Sequence, residues 1–183
     1  MTTVAARTAT HGFFTNPQRE SSTPRRVPAE YSGSVTPAPL ILASRSPRRR
    51  QLLTEHGFGA HEAVHPGFED AALKPSTSNP AAWVASLAYL KAWAKASEAS
   101  ARGRIVIGAD TACLLDGRLI GTPVTPEEAE AMIRAFVGRE HDVLTGVAVI
   151  DARSEPPVRY IFTDTARVRL GNLTAQQITE YIA

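Results

Sequence analysis

The chain has 183 residues, of which 43% are hydrophobic and 21% charged, values ordinary for one globular domain. It contains no apolar run long enough for a membrane-spanning helix. A single cysteine, Cys113, excludes a disulfide framework and a cysteine-rich zinc site, and a reducing cytoplasm is the expected location. The formal net charge of +2 is too small to indicate nucleic acid as a general partner.

Residues 1–39 differ in composition from the rest of the chain. They are rich in Ser, Thr and Pro, lack apolar periodicity and carry a net charge of +2. Because such a segment cannot bury enough apolar surface to fold alone, we expect a disordered leader over 1–39 and one folded domain over 40–183. The leader lacks the apolar core of a secretory signal. An organelle transit peptide, an upstream-extended start and a plain flexible tail are the alternatives.

The pattern after residue 39 predicts alternating strands and helices without repeats, which indicates the α/β class. Ser46, Asn79 and Thr125 each precede a proline, the residue favoured at the first helical position, and are predicted N-caps. Asp116-Gly117 predicts a tight hairpin turn. In chain order we expect a strand at 40–43, a helix from 47 to about 57, a polar stretch at 59–79, a helix at 80–98, a strand at 104–108, a hairpin of 112–115 with 119–120, a helix at 126–137, strands at 142–151 and 158–170, and a helix after 174.

The first candidate site is the predicted strand-to-helix turn at Ser44 and Ser46. The first N–H groups of a helix lack partners within the helix and, together with the helix dipole, favour an anion. The two serines add hydroxyl donors. Forked cationic donors that suit phosphate oxygens follow at four positions: Arg45, Arg48, Arg49 and Arg50. A ligand with several phosphates fits this turn, and a capped helix with a solvated basic first turn is the alternative.

Two further candidates are acidic. Asp110 comes directly after the predicted strand at 104–108, where α/β proteins place ligands, and such a carboxylate can hold a divalent cation or accept a proton. The alternative is a turn aspartate bonded to nearby N–H groups. Glu69 and Asp70 form a carboxylate pair that suits a hard cation completed by phosphates, with a solvated acidic loop as the alternative.

Other chemistry-bearing residues carry weaker signals. His56, His61 and His65 lie close in sequence, but their spacing matches no metal motif. Cys113 has no histidine beside it, so a structural thiol is expected. Lys91, taken alone, is an ordinary surface lysine.

Four segments in a fixed order carry a resemblance to a known family. Leu40-Ile-Leu-Ala-Ser-Arg-Ser-Pro-Arg-Arg49 contains S-x-S-P-R-R, and Leu87-Ala-Tyr-Leu-Lys91-Ala92 contains L-A-x-x-K-A. Gly108-Ala-Asp-Thr111 is G-A-D-T, and Gly138-Arg-Glu-His141 opens a G-R-x-H-x-V-x-T-G segment. On these motifs the chain resembles the Maf family of nucleoside triphosphate pyrophosphatases over about 40–182.

The resemblance implies a Maf/inosine triphosphatase-like mixed sheet flanked by helices. It also implies hydrolysis of a nucleoside triphosphate to the monophosphate and pyrophosphate. It assigns the proton acceptor to Asp110 and base selection to Arg48 and Thr111. S-P-R-R with A-D-T is similar to the branch of the family that acts on dTTP and UTP, and not to the branch that favours 7-methyl-GTP.

Residue chemistry and resemblance together define the predicted site. Asp110 is the expected catalytic residue, and Mg²⁺ or Mn²⁺ is expected on Glu69, Asp70 and Asp110. Substrate binding is expected at six positions: Ser44, Ser46, Arg48, Arg49, Lys91 and Thr111. Positioning and charge stabilisation would supply most of the catalysis.

Three departures from the family pattern give a second hypothesis. Thr122 stands where the family has a lysine, Glu69-Asp70 replaces a D-E pair, and the family's K-A-G-x-Y-x-I-Q-G and G-L-P segments have no counterpart. We therefore expect a domain that is incomplete at the C-terminus. Its open strand edge would be covered by a second copy in a homodimer or by another partner, or it would leave the protein with low stability.

The second hypothesis is a shortened, catalytically impaired member that binds nucleotide or a protein partner without turnover. A third is an arginine-rich nucleic-acid binder, against which the near-zero charge of 40–183 argues.

Overall fold

The computed structural model describes residues 14–15, 40–59, 61–68, 73 and 78–182, so most of the predicted leader lies outside the described residues. None of the helices in these ranges is long and apolar enough to cross a membrane. The elements are β1 (Phe14–Thr15), β2 (Leu40–Ala43), α1 (Pro47–Glu55), β3 (His61–Val64), α2 (Pro80–Ala96), a 3-10 turn (Ala99–Ala101), β4 (Ile105–Leu115), β5 (Arg118–Ile120), α3 (Pro126–Phe136), β6 (Glu140–Asp151), β7 (Val158–Leu170) and α4 (Ala175–Ile182).

The strands form a mixed sheet, which confirms the predicted fold class. They are hydrogen-bonded in the order β1-β7-β6-β4-β2-β3, and β5 pairs with β4. β2 runs parallel to β3 and β4, whereas β5 is antiparallel to β4 and β1 is antiparallel to β7. The chain divides into two compact units. Among the described residues, the first unit holds 40–111 and 145–164, and the second holds 14–15, 112–144 and 165–182.

In the first unit, α2 packs directly against strands β4 and β6 at two glycines. A Cβ added at Gly108 would lie 2.3 Å from the carbonyl oxygen of Ala88, and one added at Gly146 would lie 2.4 Å from that of Val84. Val84, Ala88 and Ala92 are fully buried on the helix side of this contact. Small residues on both surfaces therefore bring the helix backbone against the sheet.

The core of the second unit lies under helices α3 and α4. Thr125 caps α3 by accepting from the backbone N–H of Glu128, and Thr174 and Gln177 form a reciprocal cap at α4. The half-buried Cys113 packs against this core, and burial raises the pKa of its thiol, which suits a structural role. The buried side chains of this core are Leu115, Ile133, Phe136, Leu170 and Ile178.

One strand was missed in the predicted polar stretch at 59–79. His61–Val64 forms β3, which pairs in parallel with β2 from Leu40↔His61 to Ala43↔Val64. Its side chains are exposed or only half-buried, without the alternation that marks a strand with one buried face. Backbone pairing with β2 at the edge of the sheet, and not side-chain burial, holds this segment in the sheet.

The expectation that Asp110 follows the end of a strand was wrong. β4 does not stop at residue 108 but continues to Leu115, where β5 pairs with it in the register Leu115↔Arg118. Asp116 and Gly117 have φ angles of +50° and +75°, the left-handed values that a tight two-residue hairpin requires, so the predicted turn is confirmed. The hairpin pairing covers Cys113–Leu115, and β4 is also hydrogen-bonded to its neighbour β6 in the sheet.

We expect Gly146→Ala to lower the free energy of unfolding by about 1–3 kcal/mol or more, because the new methyl group collides with helix backbone that cannot rotate away. Chemical denaturation measures the loss. Gly121→Ala is the matched control, since a Cβ there meets nothing within 4 Å. Equal stability of the two variants would show that α2 can move away from the sheet without penalty.

Candidate active site

The turn between β2 and α1 arranges its two serines as a pair of acceptors. The Ser46 side chain caps α1 by accepting from the backbone N–H of Arg49 at 3.4 Å. Ser44 is buried, and its Oγ accepts from the Ser46 backbone N–H at 3.2 Å and from Nη1 of Arg49 at 3.3 Å. A hydroxyl has two lone pairs and one hydrogen, so Ser44 is left with a hydrogen to donate.

Arg49 lies next to the point where the pairing of β2 with β4 ends. The parallel pairing of these strands ends at Ala43↔Gly108, and the next β4 carbonyl, that of Ala109, accepts from Arg49 Nη1 at 2.8 Å. Arg49 Nη2 also donates to Oγ1 of Thr111 at 3.1 Å. Burial lowers the pKa of Arg49 from its usual value, and the charge of Asp110 opposes this shift. Arg49 therefore fastens the turn to the strand.

Lys91 and Asp110 form an ion pair under α2. Lys91 Nζ lies 2.5 Å from Asp110 Oδ1, and the two side chains are only 14% and 13% exposed. Lys91 is thus not the ordinary surface lysine that its sequence position alone indicated. Removing one partner of such a buried pair leaves the other charge uncompensated, which is strongly unfavourable.

Asp110 and Thr111 point to opposite faces of β4, because successive residues of a strand alternate in direction. Gly108 and Asp110 face α2, as their contacts with Ala88 and Lys91 show. Thr111 is exposed on the other face, where its Oγ1 lies 3.4 Å from Oγ1 of Thr145 on the neighbouring strand β6. Arg49 contacts the strand at the Ala109 carbonyl and at Thr111.

A pocket of about 130 Å³ lies beside the turn. Three of its side chains are cationic, and no described carboxylate lines it, a composition that favours an anionic ligand. Pro66 and Phe68 form an apolar wall. The lining residues are Ala43, Ser44, Arg45, Arg49, Pro66, Phe68 and Lys91.

The structure does not bring every predicted residue into this site. Arg48 is absent from the pocket lining; its side chain is 65% exposed and lies 3.8 Å from Glu55 on the same helix. Glu69 and Asp70, predicted as metal ligands, lie outside the described residues.

The histidines at 56, 61 and 65 do not form a described metal site. Each ring nitrogen Nδ1 bonds to nearby backbone. The described part of the chain contains no group of three or more His, Cys, Asp or Glu side chains that could hold a metal ion.

Sequence reasoning missed Thr145 and the apolar wall of Pro66 and Phe68. Thr145 precedes Gly146 within the segment already singled out by the G-R-x-H-x-V-x-T-G pattern. Alternation along β6 from Gly146, which faces α2, places Thr145 on the same face as Thr111. That signal becomes readable only once the pairing of β4 with β6 is known.

Comparison with known proteins gives consistent results. The sequence profile of the family described as Maf-like protein matches residues 39–183. A dTTP/UTP pyrophosphatase of Rhodopirellula baltica is 40% identical over 156 residues, which are 82% of this chain and 64% of that relative. Enzymes of the same name from Pelotomaculum thermopropionicum and a Geobacillus species are each 38% identical, over 79% of this chain and 72% and 73% of their own lengths. The chain thus spans less than two thirds of the first of these relatives.

We expect Arg49→Met to lower the free energy of unfolding by about 1–3 kcal/mol, because the Ala109 carbonyl and the two hydroxyls lose their donor. Denaturant titration measures the change. Arg50→Met is the matched control: Arg50 is exposed on the same helix, and its replacement is expected to change stability by less than about 0.5 kcal/mol. Identical losses in the two variants would contradict the fastening role of Arg49.

Proposed function

The chain belongs to the Maf family, and on that premise we propose that it hydrolyses dTTP and UTP to the nucleoside monophosphate and pyrophosphate. The observation that carries the proposal is the buried Lys91–Asp110 pair next to a cationic pocket. The names of the relatives support the substrate class.

The phosphates would bind at the turn and the pocket. Ser44 has both lone pairs occupied and a hydrogen to donate, and Ser46 and Arg49 lie directly beside it. Lys91 adds a cation that lines the same pocket. Charge-assisted donors of this kind are the strong partners of phosphate oxygens. The base would be recognised by Thr111 and by Arg48, whose exposed side chain is able to leave Glu55.

Asp110 is the proposed proton acceptor. Lys91 engages its Oδ1 and so fixes the orientation of the carboxylate, which leaves Oδ2 to take a proton from water. That water would attack the α-phosphorus, and the bond from this phosphorus to the bridging oxygen would break. The electron pair would leave with pyrophosphate, whose charge would be neutralised by the three cations that line the pocket, Arg45, Arg49 and Lys91.

A divalent cation, Mg²⁺ or Mn²⁺, fits the carboxylate chemistry of this site. Mg²⁺ usually takes one or two protein carboxylates and completes its shell with phosphates and water. Asp110 supplies one carboxylate, and Glu69 and Asp70 directly follow the pocket residue Phe68 in sequence. We propose that these three residues would hold the ion together with the substrate. When bound, it would neutralise phosphate charge.

The domain organisation, the oligomeric state and the cellular location of the protein stay predictions. We expect one folded domain over 40–183, a homodimer and a cytoplasmic location. The expected location rests on the single cysteine.

The test is pyrophosphate release from dTTP, UTP, CTP, GTP and ATP with Mg²⁺ or Mn²⁺. We expect turnover of dTTP and UTP, and a loss of about 10²–10⁴-fold in Asp110→Asn, because the amide cannot accept the proton. Asp151→Asn makes the same chemical change at a carboxylate that is paired with Arg153 and does not line the pocket, and it is expected to keep full activity.

Two results would contradict the proposal. Equal release by the Asp110→Asn variant would attribute the activity to a contaminant. Binding of dTTP by folded protein without any release would favour the impaired-member hypothesis.

A further inference from the structure

The apolar wall of the pocket lies on a short loop that follows β3. Pro66 is buried and Phe68 half-buried, and both line the pocket. Gly67 between them is exposed and has a φ angle of +70°, and its backbone N–H donates to Nδ1 of His65 at 3.0 Å. Since Gly67 joins the two wall residues, the position of the wall depends on what supports this turn.

Lys95 lies against Gly67. A Cβ added at Gly67 would lie 3.8 Å from both Cε and Nζ of Lys95, which is ordinary van der Waals contact. Among the described residues, and apart from its chain neighbours, only Lys95 comes within 4 Å of that position. The Lys95 side chain is 20% exposed, low for a residue type that is mostly exposed in proteins. Lys95 therefore supports the turn from the side of the helix.

One face of α2 serves both the pocket and its wall. Lys91 and Lys95 are four residues apart on this helix, so they lie on the same face, one turn apart. Lys91 lines the pocket together with Phe68, and Lys95 contacts Gly67. Val64, at the end of β3, packs against the core cluster to which α2 contributes. The loop that follows β3 thus lies over the C-terminal part of α2.

The end of the Lys95 side chain is itself held. Nζ donates to Oε1 of Glu98 at 2.7 Å, and the other carboxylate oxygen accepts from Oγ of Ser100 at 3.3 Å. The hydrogen bond from Lys95 lowers the pKa of Glu98, so the carboxylate stays charged at neutral pH. Such an exposed pair contributes little to the free energy of unfolding, but it restricts where the lysine can lie.

The wall matters to a phosphate ligand because it limits the water around the cations of the pocket, and charges attract more strongly where less water surrounds them. We propose that Lys95 is a positioning residue that keeps Pro66 and Phe68 against the pocket by supporting Gly67, an inference that rests on the proposed function. Without this support the wall moves away, and the triphosphate binds less tightly. The Lys91–Asp110 pair is not altered by that movement.

The test measures equilibrium binding of the α,β-imido analogue of UTP, which is not cleaved, to the full chain by isothermal titration calorimetry. We expect Lys95→Ala to raise the dissociation constant about fivefold or more, and Lys95→Arg, which keeps a long stem and a cation for Glu98, to restore it. In turnover of UTP, Lys95→Ala is expected to raise KM and to leave kcat within about twofold, the pattern of a change in binding alone.

A double-mutant cycle shows whether Lys95 acts through the wall. Phe68→Ala removes the larger wall side chain and is expected to weaken binding by itself. Adding Lys95→Ala to Phe68→Ala should then cost much less than Lys95→Ala costs alone. Arg134→Ala is the matched control, because Arg134 is a cation paired with a glutamate of its own helix, and it does not line the pocket. This variant should bind the analogue like the unmodified chain.

Four results would overturn the inference: an unchanged dissociation constant in Lys95→Ala, an equal loss in Arg134→Ala, losses that add fully in the double variant, or no binding of the analogue by the unmodified chain. A loss that Lys95→Arg does not restore would also contradict it. Because the analogue is not cleaved, failure of pyrophosphate release would refute the proposed hydrolysis without affecting the binding measurement.

Discussion

The close contact of α2 with the sheet at Gly108 and Gly146 determines where the polar groups of the first unit can lie. With hydrogen in place of a side chain at both positions, the helix backbone approaches β4 and β6 to a distance that any Cβ would block. Lys91 lies beside the buried Ala92 on this helix, and its ammonium group consequently meets Asp110, two residues beyond Gly108. The ion pair is therefore a consequence of backbone packing, and a looser helix would leave both charges poorly matched.

The second constraint is the point at which β2 ends. Past Ala43 the chain turns into α1, while β4 continues, so the Ala109 carbonyl needs a donor other than the parallel strand. Arg49 supplies that donor and at the same time bonds to the turn through Ser44. The site thus lies where one strand stops and its neighbour continues, which is the place where α/β folds leave backbone and side-chain groups open to a ligand.

Local signals were sufficient for the helices and for the hairpin, and insufficient for the site. Ser46, Asn79 and Thr125 cap their helices as predicted, because a cap depends on residues three positions apart. β3 was missed because the edge strand has no buried face. The predicted strand at 104–108 and the predicted hairpin strand at 112–115 are parts of one strand, β4, whose pairing with the distant β6 no local pattern indicates. The bonds of Arg49 join residues about sixty positions apart, and no local pattern contains that information.

Ser44 and Asp110 differ in what their hydrogen-bond partners leave available. Arg49 Nη1 and the Ser46 backbone N–H donate to the two lone pairs of the Ser44 hydroxyl. Ser44 then has only its hydrogen to offer. Asp110 is the opposite case, since Lys91 engages one oxygen and leaves the other as an acceptor. The partners of each side chain thus decide whether it donates or accepts, and the proposed function uses Ser44 as a donor and Asp110 as an acceptor.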